Sequence, residues 1–443
     1  MTGTRERGNA GTGKYEADLL VVHAAQLLTL AGNNDAPRTG AGMSDIGLVP
    51  DGAVAVSEGV IVAAGATAEV METISPAPGC VVIEASGSVV LPGFVDPHTH
   101  LVFAGSRAGE FEMRLAGASY QEIARAGGGI LSTMRATRAA SEADLVESGR
   151  RRLDAMLAHG TTTLEAKSGY GLAVEDELKC LRVINRLTAS HDVDVLPTFL
   201  GAHAVPPEYA HDAGAYVRLI IDEMLPAVID EDLAEFCDVF CEAGAFSPEQ
   251  AREILVAGRD AGLNVKIHAD ELSDLGGAAL AAEVEAISAD HLLMAADAGL
   301  QAMADAGTIA VLLPGTALFL GLPYAAAGRM RDTGIAVAIG TDFNPGTSPT
   351  YSMPMAIALA CVGMRLTPAE AIVAATINAA HALGAAEEVG SLEPGKAADL
   401  VIAGVEDYRE LPMHFGVNPV QTVIKRGRIV YRAGHVHREE GGA

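Results

Sequence analysis

From Leu91 the hydrophobic period of this chain changes, and the new pattern holds to about residue 350. Short apolar runs of strand length alternate with longer stretches of helical spacing. The runs are Leu91–His98, Thr161–Ala166, Asp194–Gly201, Asp238–Glu242, Val265–Ala269, Ala286–Asp290, Thr308–Leu313 and Ile335–Gly340. Start signals stand ahead of several intervening helices. Ser141 with Asp144 reads as a capping box, and Ser247-Pro248-Glu249-Gln250 and Thr367-Pro368-Ala369-Glu370 place Pro at the first helical position. Eight strands alternating with helices over about 250 residues predict an α/β chain folded as a (β/α)8 TIM barrel. An open doubly wound sheet is the alternative, and no Gly-x-Gly-x-x-Gly fingerprint opens the first unit to support it.

On both sides of this region the pattern is that of short β runs. Ala17 to Leu30, Gly52 to Ala64 with a turn at Gly59, and Cys80 to Val90 read as strands, and Gly32 to Asp51 as a loop. After a late helix from Thr367 to near Gly384, a turn at 390–396 feeds Ala397–Ala403. Val420–Lys425 and Arg428–Arg432 then flank Gly427 as a hairpin. The two ends are expected to pair, so that residues 18–90 and 385–434 form a small composite β-sandwich domain and residues 91–384 the barrel. Residues 1–17 and His435 to Ala443 read as disordered tails.

The chain has 57 acidic residues against 30 Lys and Arg, a net charge of −27. Nucleic acid and anionic membrane are thereby excluded as expected partners, because both need clustered cations. An anionic small molecule would need its own local cation. Five cysteines without paired spacing suit a reducing cytoplasm. No apolar run reaches the ~20 residues of a membrane span, and no signal-peptide pattern follows the first charges. A soluble cytoplasmic protein is expected.

In a barrel, chemistry gathers where strands end in loops at the C-terminal face. The first run ends Asp96-Pro97-His98-Thr99-His100, and two His at i and i+2 of an extended segment point to one side. The fifth ends with His268 and, three residues on, Glu271; the eighth ends in Asp342. His203 follows the third run and His291 the sixth. Each alone is more often a helix cap, a loop residue or a satisfied structural His. Together His98, His100, His268 and Asp342 offer three neutral nitrogens and one carboxylate, a donor set for one Zn2+ or Fe2+ ion.

Pro92-Gly93-Phe94-Val95-Asp96-Pro97-His98-Thr99-His100, the later His and final Asp, and the closing Gly395-Lys396-Ala397-Ala398-Asp399-Leu400-Val401-Ile402 resemble the amidohydrolase superfamily. The resemblance spans about residues 18–432 and implies a distorted barrel with a composite β domain. Phe103 to Glu110, Gly117-Ala118-Ser119-Tyr120, Gly127 to Ile130, Lys167-Ser168-Gly169-Tyr170-Gly171, Leu200-Gly201-Ala202-His203 and Thr341 to Thr347 narrow it further. They are similar to the branch that hydrolyses the cyclic amide of 4-imidazolone-5-propanoate to N-formimidoyl-L-glutamate in histidine degradation.

That resemblance implies one divalent metal, Zn2+ or Fe2+, on His98, His100, His268 and Asp342, and a metal-activated water whose proton Asp342 takes. It implies a catalytic role for His291, as orienter of the nucleophile or stabiliser of the oxyanion. Glu271 would serve both as proton shuttle and as ligand of the substrate's ring nitrogens. Arg107 would clamp the propanoate, Tyr120 and Tyr170 would add hydroxyls, and His203, Asn344, Gly346 and Thr347 would line the pocket. The fourth run lacks the modified Lys of binuclear members, reading Cys241-Glu242-Ala243-Gly244, so a single ion is expected. A homodimer is expected from the same resemblance. The rival readings are a deaminase of a cytosine- or guanine-like base and a non-catalytic scaffold on the same fold.

Overall fold

Eight parallel strands run side by side in chain order in the computed structural model, which describes residues 14–32, 35–118, 122 and 127–434. They are Phe94–Asp96, Thr161–Lys167, Asp194–Ala202, Phe236–Cys241, Asn264–Ala269, Ser288–His291, Ile309–Leu312 and Val337–Ile339. Nearly every residue in them is buried, as a sheet wrapped in helices requires. The ring closes beyond the strand ends. Thr99 bridges Phe343, the His100 N–H donates to Phe343 O at 2.8 Å, and the Asp342 N–H donates to His98 O at 3.0 Å. The Asp96 carboxylate accepts from the Thr341 N–H at 2.9 Å and from its hydroxyl at 2.6 Å. The bonds that join the eighth strand to the first are therefore made by the segments carrying His98, His100 and Asp342.

One expected strand is two. The run beginning at Leu91 breaks at Gly93: Val89–Pro92 pairs antiparallel with Leu400–Ala403 in the other sheet, and only Phe94–Asp96 joins the barrel. A Cβ on Gly93 would lie 2.2 Å from Thr162 Oγ1, so the crossing between sheets needs glycine. The late helix is also interrupted, into Pro368–Ala374 and Ile377–Ala382, with Thr376 between them at φ −132°. Ser247 and Thr367 head full capping boxes. Ser141 accepts from the Asp144 N–H but has no reciprocal bond; Asp144 takes the Ser141 hydroxyl instead. The Asp side chain is one methylene shorter than the Glu of a full box.

The second sheet is built from both ends of the chain. Its order is Arg428–Arg432, Val420–Lys425, Leu400–Ala403, Val89–Pro92, Tyr15–Leu28, Leu48–Ser57 and Val60–Ala66, with Ile74–Glu84 alongside the first half of Tyr15–Leu28. The expected composite β unit is thus one mixed sheet. Both its faces are covered: Leu19, Val21, Val54, Val56 and Ile424 lie in one core, and Ala17, Leu20, Val22, Val70 and Ile74 in another. The first strand starts at Tyr15, inside the expected tail, with Ala17 fully buried; the C-terminal tail from residue 435 lies outside the described residues. A bulge at His23, φ 57°, shifts the register of this long strand against Leu48–Ser57.

The loop after the first strand ties the sheet to the barrel. Buried Arg38 donates to the carbonyls of Leu30 and Asp45. Its backbone N–H donates to Asn378 Oδ1 at 2.8 Å, and Asn378 Nδ2 donates to Arg38 O and to Val337 O, both at 2.9 Å. Among the described residues no helix is long and apolar enough to cross a membrane.

Candidate metal and carboxylate-binding site

All four expected ligands meet at the C-terminal end of the barrel. Ligand atoms of His98, His100 and Asp342 lie within 4.8 Å of one another, as do those of His98, His268 and His291. His98 is common to both groups. Asp342 Oδ1 is 3.5 Å from His98 Nε2 and 3.6 Å from His100 Nε2, and the His98 and His268 rings are 4.5 Å apart.

The imidazoles are oriented from behind. His98 Nδ1 donates to Asp290 Oδ2 at 2.6 Å, and His268 Nδ1 lies 3.0 Å from Asp238 Oδ2. With Nδ1 facing a carboxylate, each ring turns Nε2 toward the common point. Both Nε2 atoms are buried without a hydrogen-bond partner. Buried polar atoms are normally satisfied, so a cluster of converging nitrogens beside a carboxylate fits the donor set of a metal ion. Burial also holds His98, His100 and His291 well below the usual imidazole range, in the neutral form that ligates. Burial works against charge on His268 too, but Asp238 outweighs it and raises that group.

Backbone strain accompanies the site. Asp342 has φ 51°, His291 φ 76° and Asp270 φ 50°, left-handed conformations that non-glycine residues seldom adopt. Asp342 is held in this turn by its N–H bond to His98 O and by the Thr316 hydroxyl, which donates to Oδ2. Burial pushes the Asp342 carboxyl up to about 6 although Thr316 pulls it down. Glu271, buried beside it, is pushed up to about 8 by burial first and Asp342 second. His291 Nδ1 lies 3.8 Å from Glu271 Oε1.

A cavity of about 340 Å³ opens over these groups, and His100, His268, Glu271, His291 and Asp342 face it together with Arg107. Arg107 Nε donates to Glu110 Oε2 at 2.8 Å, which leaves its two terminal nitrogens as the remaining donors. Tyr170 is buried, its ring 5.9 Å from that of His100 and 5.3 Å from that of His203. His203 stacks on His100 at 5.0 Å and donates Nδ1–H to Gly169 O at 3.0 Å; burial drives its pKa to about 3. It therefore presents Nε2 as an acceptor.

Three expected pocket residues, Asn344, Gly346 and Thr347, share one loop beside Arg107. A Cβ on Gly346 would lie 1.8 Å from Arg107 Nη1, so the glycine leaves room for the guanidinium. Asn344 faces the cavity, but its Oδ1 accepts from the N–H groups of Gly346 and Thr347 at 2.8 and 2.7 Å, and its Nδ2 donates to Asp342 O at 2.7 Å. That amide shapes the loop. Thr347 Oγ1 bonds the same Asn344 from the wall. Tyr120 lies outside the described residues.

Other residues of the site were not anticipated. Arg114, on the helix Ala108–Leu115, lines the cavity, donates Nη2 to Gly346 O at 3.0 Å and buries Nη1 with no hydrogen-bond partner among the described residues. Deeper in the barrel lie Glu165, Lys167, Asp238, Lys266 and Asp290, all buried. Their signal was available: polar residues at i and i+2, Glu165 with Lys167 and Lys266 with His268, put an ionic stripe on the inward face of two strands.

Comparison with known proteins agrees with this geometry. The Amidohydrolase family model matches residues 89–430, starting where the chain enters Val89–Pro92. An imidazolonepropionase of Geobacillus kaustophilus is 56% identical over 420 residues, covering 95% of this chain and 99% of its own. One from Symbiobacterium thermophilum is 55% identical over 423 residues, with the same coverage. Among solved structures, an Escherichia coli guanine deaminase superposes with a TM-score of 0.69 at 16% identity, covering 93% of this chain and 98% of that one. A Xanthomonas campestris adenosine deaminase with bound zinc gives 0.68 at 19%, covering 94% and 93%. These two share the fold. Full-length identity above one half is of another order, and with the matched model it places this chain in the amidohydrolase family, among the imidazolonepropionases.

Proposed function

We propose that this protein hydrolyses the cyclic amide of 4-imidazolone-5-propanoate to N-formimidoyl-L-glutamate, with one Zn2+ or Fe2+ ion held by His98, His100, His268 and Asp342. The observation that carries the reading is a single cavity faced by His100, His268 and Asp342 and also by the Arg107 guanidinium. A substrate with a ring amide and a carboxylate needs both. A divalent ion in that donor set supplies Lewis acidity, which brings the pKa of water from 15.7 toward ~7.

The chain's own groups do the rest. Asp342, with Oδ2 held by Thr316, accepts the proton of the attacking water at Oδ1 and returns it to the leaving ring nitrogen. His291, kept neutral by burial, orients that water and stabilises the oxygen that gains charge. Glu271, whose raised pKa keeps a proton on it near neutrality, bonds a ring nitrogen. Arg107 takes the propanoate with its two terminal nitrogens, Nε being committed to Glu110. Tyr170 and Thr347 complete the wall, and His203 accepts from a ring N–H.

A base deaminase would share His268 and Glu271, but a neutral base gives the buried Arg107 no carboxylate to bind. A non-catalytic scaffold has no use for four converging ligands. We further propose that the enzyme works as a cytoplasmic homodimer, testable by light scattering of the purified protein. The central test is incubation of metal-loaded protein with imidazolone propanoate and mass spectrometry of the product. Formation of formimidoylglutamate supports the reading; an intact ring, with one ion bound per chain, overturns it.

A further inference from the structure

Lys167 ends the second barrel strand and is fully buried. Its Nζ lies 2.7 Å from Asp238 Oδ2, 2.9 Å from Glu165 Oε1 and 3.5 Å from Asp290 Oδ2. An ammonium has three donors, and here three carboxylates surround it. Two of those oxygens face a second group: Asp290 Oδ2 accepts from His98 Nδ1 at 2.6 Å, and Asp238 Oδ2 is 3.0 Å from His268 Nδ1. One lysine thus touches both carboxylate oxygens against which the two imidazoles are set.

Stability alone gives little reason to keep such a group. Buried ion networks are often no more stabilising than apolar residues of the same volume. Burial opposes the ammonium, but Asp238, Glu165 and Asp290 outweigh it and hold Lys167 above the ordinary lysine range, so it stays charged. Without it, Asp238 would lose its lysine partner and face Asp290 as a like charge, while Asp290 would keep only the Ser288 hydroxyl on Oδ1 at 2.8 Å beside His98 itself. The carboxylate behind His268 would then be left without its cation, and its uncompensated charge would also act on the carboxylate behind His98.

We propose that Lys167 is a positioning residue for the metal centre: it fixes Asp238 and Asp290 so that His98 and His268 both present Nε2 to one divalent cation. The inference rests on the metal-hydrolase reading above, and it concerns how the site is built. Lys266 provides the control. It is equally buried, 3.2 Å from Glu165 Oε2 and 3.4 Å from Pro97 O, and makes no hydrogen bond to Asp238 or Asp290.

The test measures Zn2+ affinity of metal-free full-length protein by competition with a colorimetric chelator, and the visible absorption of the Co2+-loaded form. Circular dichroism reports the fold. Lys167→Met is expected to weaken Zn2+ binding by about 10- to 100-fold, the usual cost of losing the support of a ligand, and to shift the Co2+ bands. Lys266→Met is expected to keep wild-type affinity and bands. Unchanged affinity and bands in Lys167→Met, or an equal loss in Lys266→Met, would overturn the proposal. The double variant Lys167→Met with Glu165→Gln deletes one charge of each sign and carries the test if the single variant does not fold. It is expected to bind Zn2+ about 10- to 100-fold more weakly than wild type; recovery of wild-type affinity would mean that Lys167 acts only as a charge, and the positioning role would fall. A wild-type protein that binds no Zn2+ or Co2+ overturns the metal reading itself, which separates the two failures.

Discussion

The guanidinium of Arg107 lies where a side chain on Gly346 would be: an added Cβ would stand 1.8 Å from Nη1 and 2.3 Å from the central guanidinium carbon. The glycine belongs to the loop after the eighth strand and the arginine to the segment after the first, so the two ends of the closed barrel meet at the proposed carboxylate clamp. The absence of a side chain at Gly346 is what gives the guanidinium its place.

Gly346→Ala should therefore displace Arg107 without touching a metal ligand. Hydrogen bonds to charged groups contribute about 1.5–3 kcal/mol, so kcat/KM should fall about 10- to 100-fold, carried by KM. Metal content should stay at the wild-type value. Arg107→Ala should show the same split more strongly. Steady-state kinetics with metal analysis of both variants checks this, and an unchanged KM for imidazolone propanoate in Arg107→Ala would remove the clamp from the mechanism.

Arg114 braces the same glycine from the other side, through Nη2 on Gly346 O, with its guanidinium 5.1 Å from the centre of the Phe319 ring. Its guanidinium, with Nη1 buried and unpartnered among the described residues, adds a second positive charge to the Arg107 end of the cavity. Arg114→Met should raise KM several-fold and leave kcat and metal content nearly unchanged. Arg114→Lys keeps the charge but cannot reach both Gly346 O and the cavity, so it should recover only part of the loss. A fall in kcat with constant KM would place Arg114 in the chemistry instead.

The contrast between these residues shows what the sequence makes legible. The barrel is readable because short buried runs alternate with stretches of helical spacing and several helices carry start signals. His98, His100, His268 and Asp342 are readable because each stands just after such a run, where a polar side chain can only face the mouth. The break at Gly93 reads too early, between Val90 and Leu91, because apolar residues flank Pro92-Gly93 on both sides and the change of sheet falls at that dipeptide. Arg114 is hidden for another reason: it sits on a mostly exposed helix, where arginine is ordinary. The contacts of Gly346 and Asn344 are not legible either, because the space beside Arg107 and the hydrogen bonds within the loop decide those.

Removing the metal should separate its catalytic and structural contributions. Chelated protein should lose ring-opening activity and regain it with Zn2+ or Fe2+; the ion that restores more turnover per bound equivalent is the better fit for His98, His100, His268 and Asp342. Ions that bind only the native state stabilise it by about 2.7 kcal/mol at a hundred times Kd, so the melting temperature should rise with free metal. Turnover that survives complete chelation, checked by metal analysis, would contradict the proposed mechanism.

Asn378 joins the two parts of the molecule through one side chain. It is fully buried; Oδ1 accepts from the Arg38 N–H, and Nδ2 donates to Arg38 O and to Val337 O in the eighth barrel strand. Asn378→Ala leaves a backbone N–H and two carbonyls without their partner, each unsatisfied group costing about 1–3 kcal/mol when no water replaces it. A net loss of about 2–4 kcal/mol is expected, because relaxation of the Arg38 loop offsets part of the sum. Asn378→Asp should be worse, since a buried carboxylate would meet two carbonyl oxygens where the amide donated. Differential scanning calorimetry of the metal-loaded variants checks both, and a melting temperature equal to wild type in Asn378→Ala would mean that the loop is held by Arg38 and its carbonyl contacts alone.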